Sequence, residues 1–582
     1  MIGLISATAA GASARDRLAT AWPGRTRVYD GPVRQAVERA FAECEQLVCF
    51  LATGATVRLL APLLADKATD PGVVCVDEAG RYAVSLLGGH RGGANSLATE
   101  VASVLAATPV ITTATDATGV PGLDTLGLPV EGAVAAVTRA LLDGAPVTLR
   151  ADATWPLPAL PPNVTRGGAP GGEQVSTAGE RPDSAGILLT DRVVPLGPAD
   201  VVLRPPSLVV GVGASKGVGE DEVYEVVGAA LRDAGLSPLS VAALATVDAK
   251  ADEPGIVAAA GRLGVPLRAY PAELLAAIAV PNPSDAPLAA VGTPSVAEAA
   301  ALAAGRGGEL LVQKRKSSPE GRPAMATCAV VRTPPRGRLA VVGLGPGARD
   351  LLTPRATAEL RRASVLVGLD QYVDQIRDLL RPGTRVVESG LGHEEERART
   401  AVAEARAGHA VALIGSGDAG VYAMASPALA EATDDIEVVG VPGVTAALAA
   451  AAILGAPLGH DHVSISLSDL HTPWEVIERR VRAAAEADIV VTFYNPRSRG
   501  RDWQLPKALA LLAEHRTGST PVGVVRNASR PDGTSHLTTL ARLDPATVDM
   551  MTVVTVGNTA TREIAGRMVT PRGYRWQSEG VR

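Results

Sequence analysis

Cysteine, aromatic side chains and long apolar runs are all scarce in this chain of 582 residues. Only 3% of the residues are aromatic, and only four are cysteine: Cys44, Cys49, Cys75 and Cys328. The cysteines have neither zinc-site spacing nor the pattern of a secreted disulfide framework, so we expect reduced thiols in the cores of a cytoplasmic protein. No stretch approaches the roughly 18 apolar residues of a membrane-spanning helix, and the N-terminal residues lack the basic start of a signal peptide. The sequence therefore predicts a soluble protein without a membrane partner.

An excess of positive charge is also missing. The formal net charge is −6, which argues against nucleic acid as a partner. The chain is 47% hydrophobic and rich in Ala, Val, Gly and Leu. Small and β-branched side chains are typical of α/β layers. A chain of this length holds about three to five domains. We therefore expect a multidomain α/β protein.

Two segments have the composition of linkers. Residues 161–185 are rich in Gly, Pro, Ser, Thr and charge and show no periodicity, as a long loop would. Residues 332–338 read as a short basic hinge in front of an apolar run. The sequence therefore predicts a long loop at the first segment and a domain boundary at the second.

Two Gly-rich loops are the most informative feature of the C-terminal half. The apolar run at 411–414 enters Gly-Ser-Gly-Asp-Ala-Gly at 415–420, and the run at 339–342 enters Gly-Leu-Gly-Pro-Gly at 343–347. Apolar runs of this length are typical of buried parallel strands, and the glycines allow close approach of the backbone to a ligand. We expect one crevice at the carboxyl ends of a parallel sheet. A helix is predicted from Glu394 to a glycine stop at Gly408.

Short strands that end in polar loops characterise the N-terminal half. Predicted strands at 46–51, 82–87 and 110–113 each run into a loop of glycines or polar residues. Such exits predict an open α/β sheet with a polar rim at one end. The strand at 208–212 repeats this style.

Nine motifs give residues 339–574 a strong resemblance to a known family. They are Val-Gly-Leu-Gly-Pro-Gly at 342–347, Gly-His-Glu-Glu-Glu-Arg at 392–397, Gly-Ser-Gly-Asp-Ala-Gly-Val-Tyr-Ala-Met at 415–424, and further matches at 441–446, 457–461, 467–470, 493–498, 525–527 and 556–558. In this order they resemble the tetrapyrrole methylases, and within them the precorrin-3B C17-methyltransferases of cobalamin biosynthesis.

The resemblance implies a fold of two α/β lobes, at 338–445 and 446–582, with S-adenosylmethionine bound between them. It also implies a homodimer formed through this half and a precorrin, a tetrapyrrole, as substrate. Carried over by position, the residues expected to bind the cofactor are Pro346, Ser416, Gly417, Asp418, Val421, Thr445, Ala446, Asn495 and Ala528.

The implied reaction is methylation at C17 of the macrocycle with ring contraction to precorrin-4. Contraction requires removal of a hydroxyl proton, so a general base would help. His393 is the first candidate, with the alternative that it only orients its loop or caps the helix, and Asp469 is the second. Arg497 and Arg526 are candidates for binding the substrate's peripheral carboxylates, since guanidinium groups suit bidentate contacts. No metal site is predicted.

Residues 2–331 resemble a second family, the cobalt-precorrin-5A hydrolases of cobalamin biosynthesis. Motifs that carry the resemblance stand at 53–56, 87–95, 111–116, 211–213, 248–253, 292–298 and 314–327. The resemblance implies α/β domains at 1–124 and 206–332 around a middle region and linker at 125–205. It implies opening of a ring-A lactone with release of acetaldehyde. His90 is a candidate base, flanked by glycine N–H groups, with the alternative that it contacts a substrate carboxylate. Lys250 and Glu253 are candidates for contacting the substrate, with the alternative that they anchor a loop or cap a helix.

Three interpretations remain open at this stage. In the first, both halves are enzymes that act on cobalamin intermediates. In the second, a methyltransferase is fused to a half that binds tetrapyrrole without catalysis. In the third, the methylase acts on a substrate that is not a corrinoid. The sequence leaves open whether the substrate carries cobalt.

Overall fold

The computed structural model describes residues 1–66, 69–168 and 185–574, which form two compact units. The first unit comprises Met1–Thr154, Leu160–Pro335 and Arg381–Gly383, and the second comprises Trp155–Ala159, Arg336–Leu380 and the chain from Thr384 onward. The division at 335–336 falls inside the predicted basic hinge. Residues 169–184 of the predicted long loop and residues 575–582 of the predicted last lobe lie outside the described residues. None of the helices in the described ranges is long and apolar enough to cross a membrane.

The first unit contains these strands and α-helices in chain order: β1 (Ile2–Ser6), α1 (Ala9–Ala21), β2 (Thr26–Val28), α2 (Val33–Glu43), β3 (Gln46–Phe50), α3 (Thr53–Leu60), β4 (Gly72–Val76), β5 (Tyr82–Leu87), α4 (Ala94–Leu105), β6 (Thr108–Val110), α5 (Ala114–Thr118), β7 (Val130–Gly132), α6 (Val134–Leu142), β8 (Val147–Ala151), β9 (Val164–Arg166), β10 (Ala185–Leu189), β11 (Asp200–Leu203), β12 (Leu208–Ala214), α7 (Glu220–Asp233), β13 (Val241–Val247), α8 (Pro254–Leu263), β14 (Leu267–Tyr270), α9 (Ala272–Ala276), α10 (Asp285–Val291), α11 (Val296–Ala304), β15 (Glu309–Lys316) and β16 (Ala326–Arg332).

The first sheet of this unit has the order β2-β1-β3-β4-β5-β6. Its strands β1 to β4 are parallel, but β5 runs antiparallel to β4, and β6 is parallel to β5. The prediction of a single polar rim is therefore wrong. The tight turn at 77–81 reverses the chain, so the loops after β5 and β6 lie at one end of the sheet and the loop after β3 lies at the other.

Two further sheets complete the described part of the first unit, with orders β7-β11-β10-β8-β9 and β14-β13-β12-β16-β15. The predicted long loop at 161–185 is wrong at Val164–Arg166, because these residues form β9, a parallel edge strand on β8. An edge strand of this kind needs backbone hydrogen bonds on one side only, so its sequence carries little apolar pattern. All four cysteines of the chain are free and buried, as expected for core thiols.

The second unit contains these elements: β17 (Arg338–Gly343), α12 (Pro354–Arg362), β18 (Val365–Leu369), α13 (Asp370–Asp374), β19 (Arg385–Ser389), α14 (Glu394–Arg406), β20 (Ala410–Gly415), α15 (Ala425–Glu431), β21 (Glu437–Val441), α16 (Ala446–Leu454), β22 (Gly455–Ala456), β23 (His462–Ser466), α17 (Trp474–Glu486), β24 (Val490–Tyr494), α18 (Gln504–Ala513), β25 (Pro521–Arg526), β26 (Thr534–Thr539), β27 (Thr552–Val556), β28 (Arg562–Ile564) and β29 (Arg567–Val569).

A five-stranded parallel sheet, β19-β18-β20-β17-β21, forms the first lobe of this unit. Strands β17 and β20 are buried along their whole length, which explains their continuous apolar sequence. They are neighbours in register, with Gly343 opposite Gly415, so the two Gly-rich loops leave the sheet side by side as predicted. The predicted helix is also confirmed, since α14 begins at Glu394 and Gly408 follows it with a φ of 93°.

The sheet β23-β24-β27-β25-β26 forms the second lobe, whose core includes Phe493, Leu505 and Leu512. A small sheet, β22-β29-β28, completes the described residues. The predicted fold class, a multidomain α/β protein that ends in two lobes, is confirmed.

Glycines pack three loops of the first lobe against one another without room for a side chain. A Cβ added to Gly443 would lie 2.2 Å from the carbonyl oxygen of Gly417 and 2.8 Å from the backbone of Gly343. Gly345 and Gly417 exchange two backbone hydrogen bonds, of 3.0 and 2.7 Å. Asp418 Oδ2 accepts a hydrogen bond from the N–H of Gly443 (3.0 Å). The close approach therefore fixes the three loops relative to one another.

Replacing Gly443 by alanine tests this packing. We expect Gly443→Ala to lower the free energy of unfolding by about 1–3 kcal/mol, because the new methyl group meets backbone atoms that cannot move aside. Gly440→Ala is the matched control, since a Cβ at Gly440 meets nothing within 4 Å. Urea unfolding of the full chain, followed by circular dichroism, measures both variants. Equal unfolding curves for the two would contradict the packing argument.

Candidate active site

A cavity of about 260 Å³ lies at the carboxyl ends of β17 and β20, with walls from both lobes of the second unit. All nine residues that the sequence predicted to bind the cofactor line it: Pro346, Ser416, Gly417, Asp418, Val421, Thr445, Ala446, Asn495 and Ala528. They come from five separate stretches of chain, which the parallel sheet and the glycine packing bring to one edge.

Three side-chain-bearing residues of the cavity wall have left-handed backbone conformations. The φ angles are 52° at Tyr422, 50° at Asn495 and 48° at Asn527. This conformation is uncommon for a residue other than glycine and is costly for a large side chain such as tyrosine. Strained backbone of this kind concentrates at functional sites, where the surrounding structure enforces it.

Tyr494 is a cavity residue that sequence reasoning missed. Its hydroxyl oxygen accepts a hydrogen bond from the N–H of Ala447 (2.8 Å) and lies 2.5 Å from the hydroxyl of Thr445. It therefore anchors the start of α16, where a backbone N–H would otherwise lack a partner. The available signal was its position inside the motif at 493–498, next to Asn495.

Tyr422 links the two lobes. Its hydroxyl donates to the carbonyl of Ser464 on β23 (2.7 Å), and its ring lies 5.3 Å from that of Tyr494, centroid to centroid. Burial raises the pKa of Tyr422. The side chain also borders a larger recess of about 1050 Å³ that runs along β23. Tyr422 thus stands between the cavity and this recess.

Arg397 and Arg530 are the basic side chains in the cavity wall, and neither was predicted there. Arg397 is buried and donates to Ser389 Oγ (2.9 Å) and the carbonyl of Gly390 (2.8 Å). Arg530 donates from Nε to the carbonyl of Pro346 (3.2 Å), across the lobes. The motif at 392–397 ends on Arg397 and was the one signal for it.

The two candidate bases do not line the cavity. The side chain of His393 is 57% exposed, and its Nδ1 lies 2.9 Å from Glu396 Oε2 at the start of α14. Asp469 accepts a hydrogen bond from Gln504 Nε2 (3.0 Å). The structure brings neither the imidazole of His393 nor the carboxylate of Asp469 to the cofactor residues, although Glu394, which follows His393, does line the cavity.

The two arginines expected to bind substrate carboxylates have different surroundings. Arg526 donates from Nε to Asp549 (2.7 Å), and this hydrogen bond raises the pKa of Arg526. Its charge is thus matched within the protein. Arg497 donates to the carbonyl of Ala546 (2.7 Å) and lines a recess of about 690 Å³ beside the cavity, together with Arg499.

In the first unit His90 belongs to a polar cluster at the end of β5 and β6. Its Nε2 lies 2.6 Å from Thr115 Oγ1 and 3.6 Å from Asp116 Oδ2, and 19% of its side chain is exposed. Asn95 Nδ2 donates to Thr113 Oγ1 (2.9 Å) and to Asp116 Oδ2 (3.0 Å). The imidazole is therefore held beside a carboxylate while part of it stays open to solvent.

Lys250 and Glu253 lie in a different sheet region, after β13, and pair with each other. Lys250 Nζ is 3.2 Å from Glu253 Oε2, and the N–H of Gly217 donates to Glu253 Oε1 (2.6 Å). The hydrogen bond from Gly217 lowers the pKa of Glu253, and Lys250 adds to this effect. The pair fixes the loop after β12, and the structure does not place it in the cluster of His90.

The lowered pKa of Glu253 makes its contribution to stability depend on pH. A carboxylate whose pKa is lower in the folded state stabilises the fold above its ordinary value of 4.5 and loses that effect as the pH falls through the lowered value. At pH 7 we expect Glu253→Gln to cost about 1–2 kcal/mol, and the difference from the parent chain to shrink below pH 4.5. Asp252→Asn, at the exposed neighbouring position, is the control. A difference that stays constant from pH 7 to pH 3 would contradict the assignment.

Models of three protein families match the chain. The model described as tetrapyrrole (corrin/porphyrin) methylases matches residues 338–544. The cobalamin synthesis G C-terminus model matches residues 208–331, and the cobalamin synthesis G N-terminal model matches residues 35–116.

Two curated relatives are matched over nearly their whole length, and a third is matched over less than half of its length. A protein of Salmonella typhimurium named probable cobalt-factor III C(17)-methyltransferase is 48% identical over 239 residues, which are 40% of this chain and 99% of the relative. A precorrin-3B C(17)-methyltransferase of a Sinorhizobium species is 43% identical over 255 residues, 42% of this chain and 99% of the relative. A cobalt-factor III methyltransferase of Priestia megaterium is longer, and the match (40% identity, 41% of this chain) covers 45% of it.

Among solved structures, the crystal structure of the methyltransferase CobJ is 40% identical, and the match covers 40% of this chain and all of that one, with a TM-score of 0.39. The family assignment follows from the two relatives that the chain covers to 99% of their length. The chain belongs to the tetrapyrrole methylases through its C-terminal part, which follows two regions of the cobalamin synthesis G type.

Proposed function

We propose that the second unit transfers a methyl group from S-adenosylmethionine to C17 of precorrin-3B, or of its cobalt-containing equivalent, with ring contraction to precorrin-4. The relatives named above carry this activity in their names. The observation that carries the proposal is the convergence of all nine expected cofactor residues on one cavity. The same names favour a corrinoid substrate over other tetrapyrroles.

The cavity residues fit a nucleoside with polar ends and an apolar middle. Ser416 and Thr445 offer hydroxyl groups, Asn495 offers an amide, and the glycine loop exposes backbone groups between them. Leu369, Ile414 and other apolar side chains form the remaining walls. Bound S-adenosylmethionine supplies an electrophilic methyl group. The protein contributes by holding donor and acceptor in line, an effect for which effective molarities of about 10⁵ M are known.

For ring contraction we propose His393 as the general base and Asp469 as the second candidate. The support for His393 is its position directly before Glu394, which lines both the cavity and the larger recess. An exposed imidazole paired with Glu396 can take a proton from the macrocyclic substrate where this substrate extends out of the cavity. Arg497, on the adjacent recess, is the proposed contact for a peripheral carboxylate, and Arg526 is the second candidate, although its pairing with Asp549 already matches its charge.

Calorimetry with S-adenosylmethionine and S-adenosylhomocysteine tests the cofactor, and mass analysis of products from precorrin-3B and its cobalt form tests the reaction. The proposal requires binding of both nucleosides and a product heavier by one methyl group. A folded chain that binds neither nucleoside would overturn it.

A large side chain that fills the cavity should weaken the binding of S-adenosylhomocysteine without unfolding the protein. We expect Val421→Trp to weaken S-adenosylhomocysteine binding at least about tenfold, because the larger side chain occupies the site and overpacking of this kind costs more than 1.4 kcal/mol. Leu429→Trp is the matched control, because Leu429 is 57% exposed on α15. Titration calorimetry and melting temperatures measure both variants. Equal affinities in the two variants would show that the cavity is not the cofactor site.

For the first unit we infer a cobalt-precorrin-5A hydrolase activity, in which His90 activates water for lactone opening. The support is the position of its imidazole beside Asp116 and Thr115, with partial exposure to solvent. The second candidate is a unit that binds tetrapyrrole without turnover. Lys250 and Glu253 remain proposed substrate contacts, although their mutual ion pair favours a supporting role.

Release of acetaldehyde separates these two candidates. We expect the full chain to release acetaldehyde from the lactone substrate and His90→Gln to slow this release about 10²–10⁴-fold, the usual contribution of a general base. Methyl transfer by the same chain is the internal control and should not change. Substrate binding without acetaldehyde in the parent chain would favour the binding unit.

We further propose that the protein works in the cytoplasm as a homodimer formed through its second unit. The four free, buried cysteines suit a reducing compartment. Exposed apolar side chains at Leu448, Ile453 and Ile564 offer a surface for association. The domain division that we propose is 1–124, 125–205, 206–332, 338–445 and 446–582.

A further inference from the structure

One basic side chain of the cavity has terminal nitrogens without a hydrogen-bond partner among the described residues. Arg530 lines the cavity together with Arg397. Arg397 uses its guanidinium for structure: it is 5% exposed and donates to Ser389, to Gly390 and to the sulfur of Met424. Arg530 instead makes a single hydrogen bond, from Nε to the carbonyl of Pro346. Its two terminal nitrogens have neither a hydrogen bond nor an ion pair with any residue that the structure describes.

Gly347 makes room for this arginine. A Cβ added to Gly347 would lie 2.7 Å from Cγ and 2.9 Å from Nε of Arg530, and the φ of Gly347 is 134°. The loop of the first lobe is thus shaped so that the stem of Arg530 can cross it from the second lobe. The side chain is held at its stem, and its terminal nitrogens stay available.

The acidic groups of the cavity are engaged elsewhere. Asp418 accepts hydrogen bonds from the N–H groups of Gly420 and Gly443, one on each oxygen. Glu394 Oε1 accepts one from the N–H of Gly392 (3.3 Å). Tyr372, on the same wall, is neutral, since burial raises its pKa while the charges of Arg530 and Arg397 oppose that rise only in part. Neither carboxylate forms an ion pair with Arg530, so among the described residues the terminal nitrogens of this guanidinium have no anionic partner.

We propose that Arg530 binds a carboxylate group of a ligand in this cavity. A partly buried guanidinium without an anion is unfavourable, and a carboxylate matches its planar donors with two parallel hydrogen bonds. The inference rests on the proposed function, in which two carboxylates are available. One is the amino-acid carboxylate of the methyl donor, and the other is a peripheral carboxylate of the macrocycle. It also differs from the sequence prediction, which gave this role to Arg497 and Arg526.

Calorimetry with two nucleosides tests whether Arg530 binds the amino-acid carboxylate of the methyl donor. S-adenosylhomocysteine has the amino-acid carboxylate, whereas 5′-methylthioadenosine lacks it. If Arg530 binds the carboxylate of the methyl donor, Arg530→Gln weakens the binding of S-adenosylhomocysteine about 10–100-fold, as expected for loss of a hydrogen bond to a charged group. The affinity for methylthioadenosine then stays at the parent value. Arg530→Lys keeps the charge but loses the planar fork, so its affinity for S-adenosylhomocysteine should lie between that of the parent chain and that of Arg530→Gln. If the parent chain binds neither nucleoside, the proposed function fails and not this inference alone.

Steady-state kinetics with the macrocycle test whether Arg530 binds a peripheral carboxylate of the substrate. If Arg530 binds the acceptor, Arg530→Gln raises KM for the tetrapyrrole about 10–100-fold while S-adenosylhomocysteine affinity stays at the parent value. Arg542→Gln, at an exposed position of the second lobe, is the matched control and should change neither quantity. An Arg530→Gln variant that melts like the parent, binds S-adenosylhomocysteine like the parent and has the same KM would overturn the proposal.

Discussion

The close approach of three glycine turns is the constraint on which the second unit depends. A methyl group at Gly343 or at Gly443 would lie only 2.7 or 2.2 Å from the carbonyl oxygen of Gly417. The parallel strands β17, β20 and β21 deliver the three loops to the same edge of the sheet, and this contact holds the loops against one another there. Asp418 then ties two of these loops with hydrogen bonds to backbone N–H groups. A site that works by positioning needs such rigidity more than it needs reactive side chains.

The second lobe closes this edge by contacts of another kind. Tyr494 satisfies the start of α16, Tyr422 reaches the backbone of β23, and Arg530 crosses to the loop of Pro346. These contacts use long side chains with polar ends, which span the gap between lobes while their apolar parts form the cavity wall. The wall therefore contains three tyrosines and two arginines, in a chain of which only 3% is aromatic.

The two units show different relations between motif and chemistry. In the second, the motif residues predicted to bind the cofactor line one cavity. In the first, the motif around His90 forms a compact cluster, whereas Lys250 and Glu253 neutralise each other at a different sheet. Candidate residues from two motifs of one family resemblance thus lie apart, in a polar cluster at one sheet and an ion pair at another. Burial and partners decide which is which.

The sequence by itself determined the α/β class and the paired strands β17 and β20, because buried parallel strands are continuously apolar and their exits are rich in glycine. The nine cavity residues came from the resemblance of the motifs to the tetrapyrrole methylases. Only the tertiary structure decided the direction of β5 and the presence of β9, since strand direction depends on pairing and an edge strand needs little apolar pattern. It also decided which arginines face the cavity. Arg526 and Arg530 are four positions apart and alike in sequence, but Asp549 neutralises the first and Gly347 admits the second. Such partners lie far away along the chain, so no local pattern reveals them.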